Sequence, residues 1–155
     1  MSGIALPRRR MLGLGAGTAL GLALHCRPVA AVSAAPSLRT VELDWAGGRP
    51  ITEGRVNFEI AALVENGNTV PILVKVDSPM TAADHVQEIV VFNEKNPQRD
   101  VVRCFLGPAN GVAQVQTRIR LATSQQLVAL ARMSDGSRWS QHVDVLVTLA
   151  ACIEP

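Results

Sequence analysis

The chain has 155 residues, of which 48% are hydrophobic, 3% aromatic and 18% charged. This length suits one globular domain, and the apolar fraction excludes a disordered chain. Four of the 15 basic residues lie within the first 34 residues, which contain no acidic residue. The remainder therefore keeps 11 basic and 13 acidic residues, a formal charge of −2. That balance argues against a protein that binds nucleic acid.

Residues 1–34 have the pattern of an export signal. Three arginines at positions 8–10 precede an apolar run over residues 11–24, and small residues end the stretch at Ala34. The run is shorter than the roughly 20 residues that span a bilayer. Adjacent arginines before a weakly apolar run favour a twin-arginine signal, with a general secretory signal or an uncleaved anchor as alternatives. We therefore expect a periplasmic mature protein.

The rest of the chain is dominated by strand patterns. Residues 35–50 are expected to form a loose segment, because Gly47, Gly48 and Pro50 break regular structure. Beyond them, apolar residues recur with period 2, which is typical of strands with one buried face. About seven strands are predicted, over residues 56–62, 70–76, 86–92, 100–106, 113–121, 127–131 and 143–149. A helical turn over residues 61–65 is an alternative to the end of the first strand.

Turn residues separate these strands. Ser134-Asp135-Gly136-Ser137 predicts a tight hairpin turn in which Gly136 takes a positive φ. The return strand is expected to point Leu149 inward. Short strands at this spacing favour an all-β fold, an immunoglobulin-like antiparallel β-sandwich over residues 35–149. A flexible C-terminal arm, residues 150–155, is expected to follow it.

Few residues of this domain have the pattern of a catalytic or metal site. His85 and His142 are too few for a metal site, and no glycine-rich phosphate loop precedes a helix. The scattered carboxylates are interpreted as a solvated face and the tryptophans as packing at the sandwich edge: Asp84, Glu88 and Glu94, then Trp45 and Trp139. The residues thus indicate neither an enzyme nor a bound metal or cofactor.

The cysteines supply one candidate for covalent chemistry. Cys26 lies in the predicted leader, which leaves Cys104 and Cys152. Alternation in residues 101–106 predicts a buried Cys104, whereas Cys152 follows the last strand on an exposed tip. Its thiolate would be the reactive species, and an extended arm of residues 150–155 would reach roughly 20 Å. A Cys104–Cys152 disulfide, or a terminal cysteine without a role, stays open as an alternative.

Several segments, in their order and spacing, resemble the SoxY family, the covalent substrate carriers of the periplasmic thiosulfate-oxidising system. They run from Glu65 to Pro71, Asp77 to Met80, Glu94 to Pro97, Val115 to Leu121 and Ser134 to Trp139. A twin-arginine leader is also typical of that family. The resemblance implies an immunoglobulin-like fold, a heterodimer with a SoxZ-like subunit, and Cys152 as the point of substrate attachment.

In such a system the partners would supply the catalysis. The resemblance implies that a SoxAX cytochrome joins thiosulfate to the Cys152 thiol, that SoxB hydrolyses sulfate from the adduct, and that sulfane dehydrogenase oxidises the remaining sulfur. The tip departs from the usual Gly-Gly-Cys-Gly-Gly, since Ala150 and Ala151 precede the cysteine and the branched Ile153 follows it. Two alternatives remain: a SoxY-like subunit that carries nothing, and a paralogue that serves other periplasmic enzymes.

Overall fold

The computed structural model describes residues 36–151. They form one α-helix, nine strands and a 3₁₀ turn at Pro108–Asn110. In chain order the elements are α1 (Leu38–Ala46), β1 (Thr52–Glu53), β2 (Val56–Glu59), β3 (Leu63–Val64), β4 (Val70–Val76), β5 (Val86–Asn93), β6 (Asp100–Phe105), β7 (Gln114–Ile119), β8 (Gln125–Met133) and β9 (Arg138–Val147).

The strands form a sandwich of two sheets. The larger sheet has the order β1-β9-β8-β5-β6, with β3 also paired to β9, and the smaller has the order β2-β4-β7. Pairing is antiparallel except that β1 and β3 run parallel to β9. The β8–β9 hairpin closes at the predicted turn, where Gly136 has a φ of +81°. The all-β sandwich is confirmed, with two short strands in addition to the seven predicted.

β8 and β9 both begin earlier than predicted, and two other boundaries overturn an expectation. The first predicted strand ends at Glu59, and Leu63–Val64 pairs with β9, so the alternative of a helical turn there is wrong. β9 ends at Val147, and Leu149 lies beyond it with 61% of its surface exposed. The expectation that Leu149 points inward is therefore also wrong.

The main core lies between the two sheets. Strand β4 alternates buried residues with exposed or partly buried ones, and its buried side chains include Val70, Ile72 and Val74. They join one hydrophobic cluster with residues of β5 such as Ile89 and Val91. Burial of a side chain of this kind contributes about 1.5–3 kcal/mol to folding.

Residues 35–50 do not form the loose segment that was expected, because Leu38–Ala46 is helical. The Ser37 side chain accepts a hydrogen bond from the Thr40 backbone N–H and caps the first turn. Gly47 ends the helix in the left-handed conformation, with a φ of +57°. Among residues 36–151, no helix is long and apolar enough to cross a membrane.

Helix α1 covers the outer face of the larger sheet. Leu38 forms a second buried cluster with two residues each of β5 and β8, and Val41 and Trp45 pack against it; the strand residues are Val90, Phe92, Val128 and Leu130. Both central strands are thus buried on two faces. This burial explains why residues 89–92 and 127–131 are continuous apolar runs rather than alternating ones.

Candidate functional site

The candidate site lies at the C-terminal end of the sandwich. Cys152 and Ile153, like the leader, lie outside the described residues. Of the two arm residues that are described, Ala150 is exposed and Ala151 is only 7% exposed. The geometry of the site is therefore defined at the residue that immediately precedes Cys152.

Four residues, here called the terminal clamp, hold that end of the chain: Gly67, Leu121, Leu149 and Ala151. The Gly67 N–H donates to the Leu149 carbonyl (2.8 Å), and the Leu121 N–H donates to the Gly67 carbonyl (2.8 Å). The Ala151 N–H in turn donates to the Leu121 carbonyl (3.0 Å). Backbone bonds therefore tie the chain down as far as Ala151.

The clamp requires glycine at position 67. A Cβ atom there would lie 2.3 Å from the Leu121 carbonyl oxygen, 2.9 Å from the Ala151 nitrogen and 3.2 Å from a Val147 methyl group. Contacts this short do not occur without a shift of the backbone, so Gly67 permits three chain segments to approach closely.

A cavity of about 290 Å³ opens beside the clamp. It lies between the loop that joins β5 to β6 and the segment that follows β7, with Ala151 in its wall. Its lining residues are Asn96, Pro97, Gln98, Asp100, Val101, Arg120, Ala122 and Ala151. Cys152 is bonded directly to a residue of this wall.

Asn96 joins the two segments that form the cavity. Its Nδ2 donates to the Arg120 carbonyl (2.8 Å), and its Oδ1 accepts from the Ala122 N–H (3.0 Å) and from Gln125 Nε2 (2.7 Å). Gln125 is 5% exposed, so part of this network is buried. Satisfied networks of this kind hold loops in one arrangement.

The two charged residues of the cavity differ in their partners. Asp100 accepts hydrogen bonds from Arg103 at 2.8 Å, and this bond raises the pKa of Arg103 above its ordinary value. Arg120 is exposed, and within residues 36–151 its guanidinium forms neither an ion pair nor a hydrogen bond. The cavity therefore combines a neutralised carboxylate with an available cation.

The two histidines contact different parts of the protein. His85 Nδ1 lies 3.0 Å from the Thr81 carbonyl, whereas His142 Nε2 lies 2.9 Å from Glu42 Oε1. Glu42 is 2% exposed, and sequence reasoning missed it because its segment was read as loose. Its spacing of four residues from Leu38 on the helix was the available signal. Residues 36–151 contain no group of three metal-ligating side chains of the His, Cys, Asp or Glu type.

The interpretation of three carboxylates as a solvated face is wrong for Glu88. That side chain is 4% exposed and lies between Arg103 (2.6 Å) and Arg132 (3.1 Å). Asp84 pairs with Arg55 at 3.8 Å with both side chains over one third exposed. Glu94 accepts a hydrogen bond from the Gln126 N–H at 3.3 Å.

Cys104 lies within a strand, and the two tryptophans pack against the hydrophobic clusters. Cys104 is a free cysteine opposite Ile89 in the sheet, half-buried rather than buried as predicted. Trp45 packs on the helix-covered cluster and Trp139 on the main core. An arginine guanidinium lies over each ring, within 5.7 Å of its centroid.

Comparison with known families identifies the chain. The profile of the sulfur oxidation protein SoxY matches residues 43–152, which include both the clamp and Cys152. The chain belongs to the SoxY family. Comparison with curated proteins finds no match. The SoxY match confirms the family that the segments from Glu65 to Trp139 indicated.

Solved structures share the SoxY fold with this chain. The sulfur carrier protein SoxY from Chlorobium limicola f. thiosulfatophilum superposes with a TM-score of 0.61 and 24% identity, over 73% of this chain and 97% of that one. A superoxide reductase (neelaredoxin) from Ignicoccus hospitalis superposes with a TM-score of 0.55 and 17% identity, over 61% of this chain and 80% of that one. Superoxide reductase from Nanoarchaeum equitans superposes with a TM-score of 0.53 and 13% identity, over 62% of this chain and 100% of that one. At these identities the similarities establish the fold.

Proposed function

We propose that this SoxY-family chain is a covalent carrier of sulfur-oxidation intermediates, attached through the thiol of Cys152. The observation that carries the proposal is that the family match extends to Cys152, one residue beyond the clamped Ala151. A thiolate is the form that bonds to sulfur compounds. The sandwich would present the group bound to Cys152, and other proteins would perform the catalysis.

The chemistry implied by the family begins with oxidative attachment. The Cys152 thiol and thiosulfate lose two electrons and one proton to form a cysteine S-thiosulfonate, RSH + S₂O₃²⁻ → RS–S₂O₃⁻ + H⁺ + 2e⁻. A SoxAX cytochrome would accept the electrons. SoxB would then add water to the terminal sulfur and release sulfate, RS–S₂O₃⁻ + H₂O → RS–S⁻ + SO₄²⁻ + 2H⁺. Sulfane dehydrogenase would oxidise the sulfur that remains.

A SoxZ-like subunit is the stable partner in this proposal. Leu63 on β3 and Leu146 on β9 are direct neighbours in the sheet and are 59% and 64% exposed, and Leu149 follows at 61%. We call these three residues the leucine patch. Leu149 also belongs to the clamp, so a subunit that covers all three leucines would lie beside the tether of Cys152. The assembly would function in the periplasm after export of the chain.

The altered tip favours a second candidate, a SoxY-like subunit that pairs with SoxZ but carries nothing. Ala150, Ala151 and Ile153 replace glycines that would let a carrier arm bend freely. The two candidates differ in whether Cys152 acquires a sulfur adduct.

Replacement of Cys152 separates them. We expect Cys152→Ser to abolish loading when the chain is isolated without reductant from cells that oxidise thiosulfate. The unfolding free energy should change by less than about 0.5 kcal/mol, because the position lies beyond the clamped backbone. Intact mass and peptide mapping measure loading, with two sulfurs and three oxygens as the expected first adduct. Cys104→Ser is the matched control and should load normally. An unmodified Cys152 in the unaltered chain, under conditions that load an established SoxY, would support the non-carrying subunit.

A further inference from the structure

The clamp holds Ala151, the residue to which Cys152 is bonded. Ala151 is held by its N–H bond to Leu121 and is nearly buried. Consecutive Cα atoms are about 3.8 Å apart, so the Cα atom of Cys152 lies within that distance of the cavity wall. Any adduct on its thiol is therefore tethered one residue from the cavity wall.

The charge in the cavity distinguishes between possible adducts. The Asp100 carboxylate is engaged by Arg103, whereas the Arg120 guanidinium has no partner within the described residues. The backbone of Arg120 is held by Asn96, which keeps this residue at the cavity wall. A guanidinium presents several N–H donors to an oxyanion, which suits the three terminal oxygens of a thiosulfonate or sulfonate. A neutral adduct offers no such acceptor.

We propose, on the basis of the proposed carrier function, that Arg120 is a specificity-determining residue that binds the anionic end of the oxidised sulfur group on Cys152. Arg120 thereby favours adducts that end in a sulfonate over uncharged ones of similar size. The carrier itself, and not only its partner enzymes, then discriminates between sulfur intermediates.

Strand β7 provides a matched control for this role. Arg118 lies on β7 and Arg120 follows one residue after its end, and both are exposed. Arg118 does not line the cavity. Replacement of either arginine with glutamine removes the same charge from the protein, but only one replacement changes the cavity.

The test compares two thiol reagents on the leaderless chain with Cys104→Ala, which leaves Cys152 as its one thiol. Tetrathionate is a dianion, and its central S–S bond breaks as thiosulfate leaves with the electron pair: RSH + S₄O₆²⁻ → RS–S₂O₃⁻ + S₂O₃²⁻ + H⁺. Methyl methanethiosulfonate is neutral and gives a methyl disulfide with release of methanesulfinate: RSH + CH₃SO₂SCH₃ → RS–SCH₃ + CH₃SO₂⁻ + H⁺. Mass spectrometry follows the formation of each adduct and its removal by dithiothreitol, whose thiolate is the same attacking species for both adducts.

We expect Arg120→Gln to slow the tetrathionate reaction roughly fivefold, the factor that one unit charge at about 4 Å produces in water. The thiosulfonate adduct should also be reduced roughly fivefold faster, with both rates for the neutral reagent unchanged. Arg118→Gln should leave all four rates within a factor of two. Equal effects of the two replacements would indicate general surface charge and overturn the proposal, as would no effect of Arg120→Gln.

Failure here is distinguishable from failure of the carrier function. If the unaltered chain is loaded in cells but tetrathionate reacts equally with all variants, only the role of Arg120 is wrong. If the unaltered chain is never loaded in cells, the carrier function fails and the role of Arg120 fails with it.

Discussion

Gly67 shows how a single residue holds the end of the chain in place. Its backbone accepts from Leu121 and donates to Leu149, and its missing side chain leaves room for Ala151. Because its φ is not positive, the requirement for glycine is steric rather than conformational. The identity of this residue therefore determines where the clamped part of the chain ends.

We predict that Gly67→Ala destabilises the protein by about 1–3 kcal/mol, because the new methyl group must displace the Leu121 carbonyl or the Ala151 backbone. Urea denaturation measures this change, and hydrogen exchange should show faster exchange of the Ala151 amide. Gly107→Ala is the control: a Cβ there meets nothing within 4 Å, and the backbone is extended with a φ of −156°. Equal stability of the two variants would contradict the clamp.

Part of the candidate site could be predicted from the sequence and part could not. The position of Cys152 after the last strand singled it out without any tertiary information. The cavity was not predictable, because Asn96 and Arg120 meet only when the β5–β6 loop contacts the segment after β7. The sequence alone does not distinguish Arg120 from other arginines, because its lack of a charged partner within residues 36–151 depends on the fold.

Among the elements, β5, β6 and β8 are linked by one carboxylate. Glu88 on β5 pairs with Arg103 on β6 and Arg132 on β8, so a buried carboxylate and two partly exposed arginines link three neighbouring strands on the outer face. The sequence did not reveal this ion cluster. Alternation shows that Glu88 lies on the outer face of the sheet, but it does not show that helix α1 covers that face.

We predict that Glu88→Gln lowers the unfolding free energy by about 1–3 kcal/mol, since a nearly buried carboxylate loses two charged partners while the amide keeps one acceptor. Chemical denaturation is the measurement. Glu59→Gln is the control, because its pair with Lys75 is about half exposed at both ends and should cost less than about 1 kcal/mol. A loss as small for Glu88 as for Glu59 would show that the cluster contributes little.

The strands were easier to predict than the helix for a physical reason. Period-2 burial is encoded locally in β4 and β7, so their limits follow closely from the pattern. Helix α1 has a buried Glu42 and an exposed Leu43, which obscure its amphipathic pattern. It is stabilised by packing on Val90 and Leu130, and such tertiary contacts outweigh weak local propensity.

At the scale of the whole molecule, the leucine patch is the surface where we expect the SoxZ-like subunit. We predict that Leu146→Lys weakens binding of that subunit at least tenfold, because a charge would replace an apolar side chain that is 64% exposed in the proposed interface. Isothermal titration calorimetry measures the affinity. The control is Leu43→Lys on α1, which replaces a leucine that is 50% exposed on a different surface and should leave the affinity unchanged. Identical binding by the two variants would place the interface on another surface.

The arrangement of β9 also determines the order in which the domain can fold. This strand lies inside the larger sheet and pairs with β8, β1 and β3, which come from three separate stretches of sequence. Until residues 138–147 have been synthesised, β1 and β3 have no partner in that sheet, and the clamp cannot form. The larger sheet and the clamp are therefore completed only at the end of synthesis, through pairing between distant stretches of sequence, which is slow.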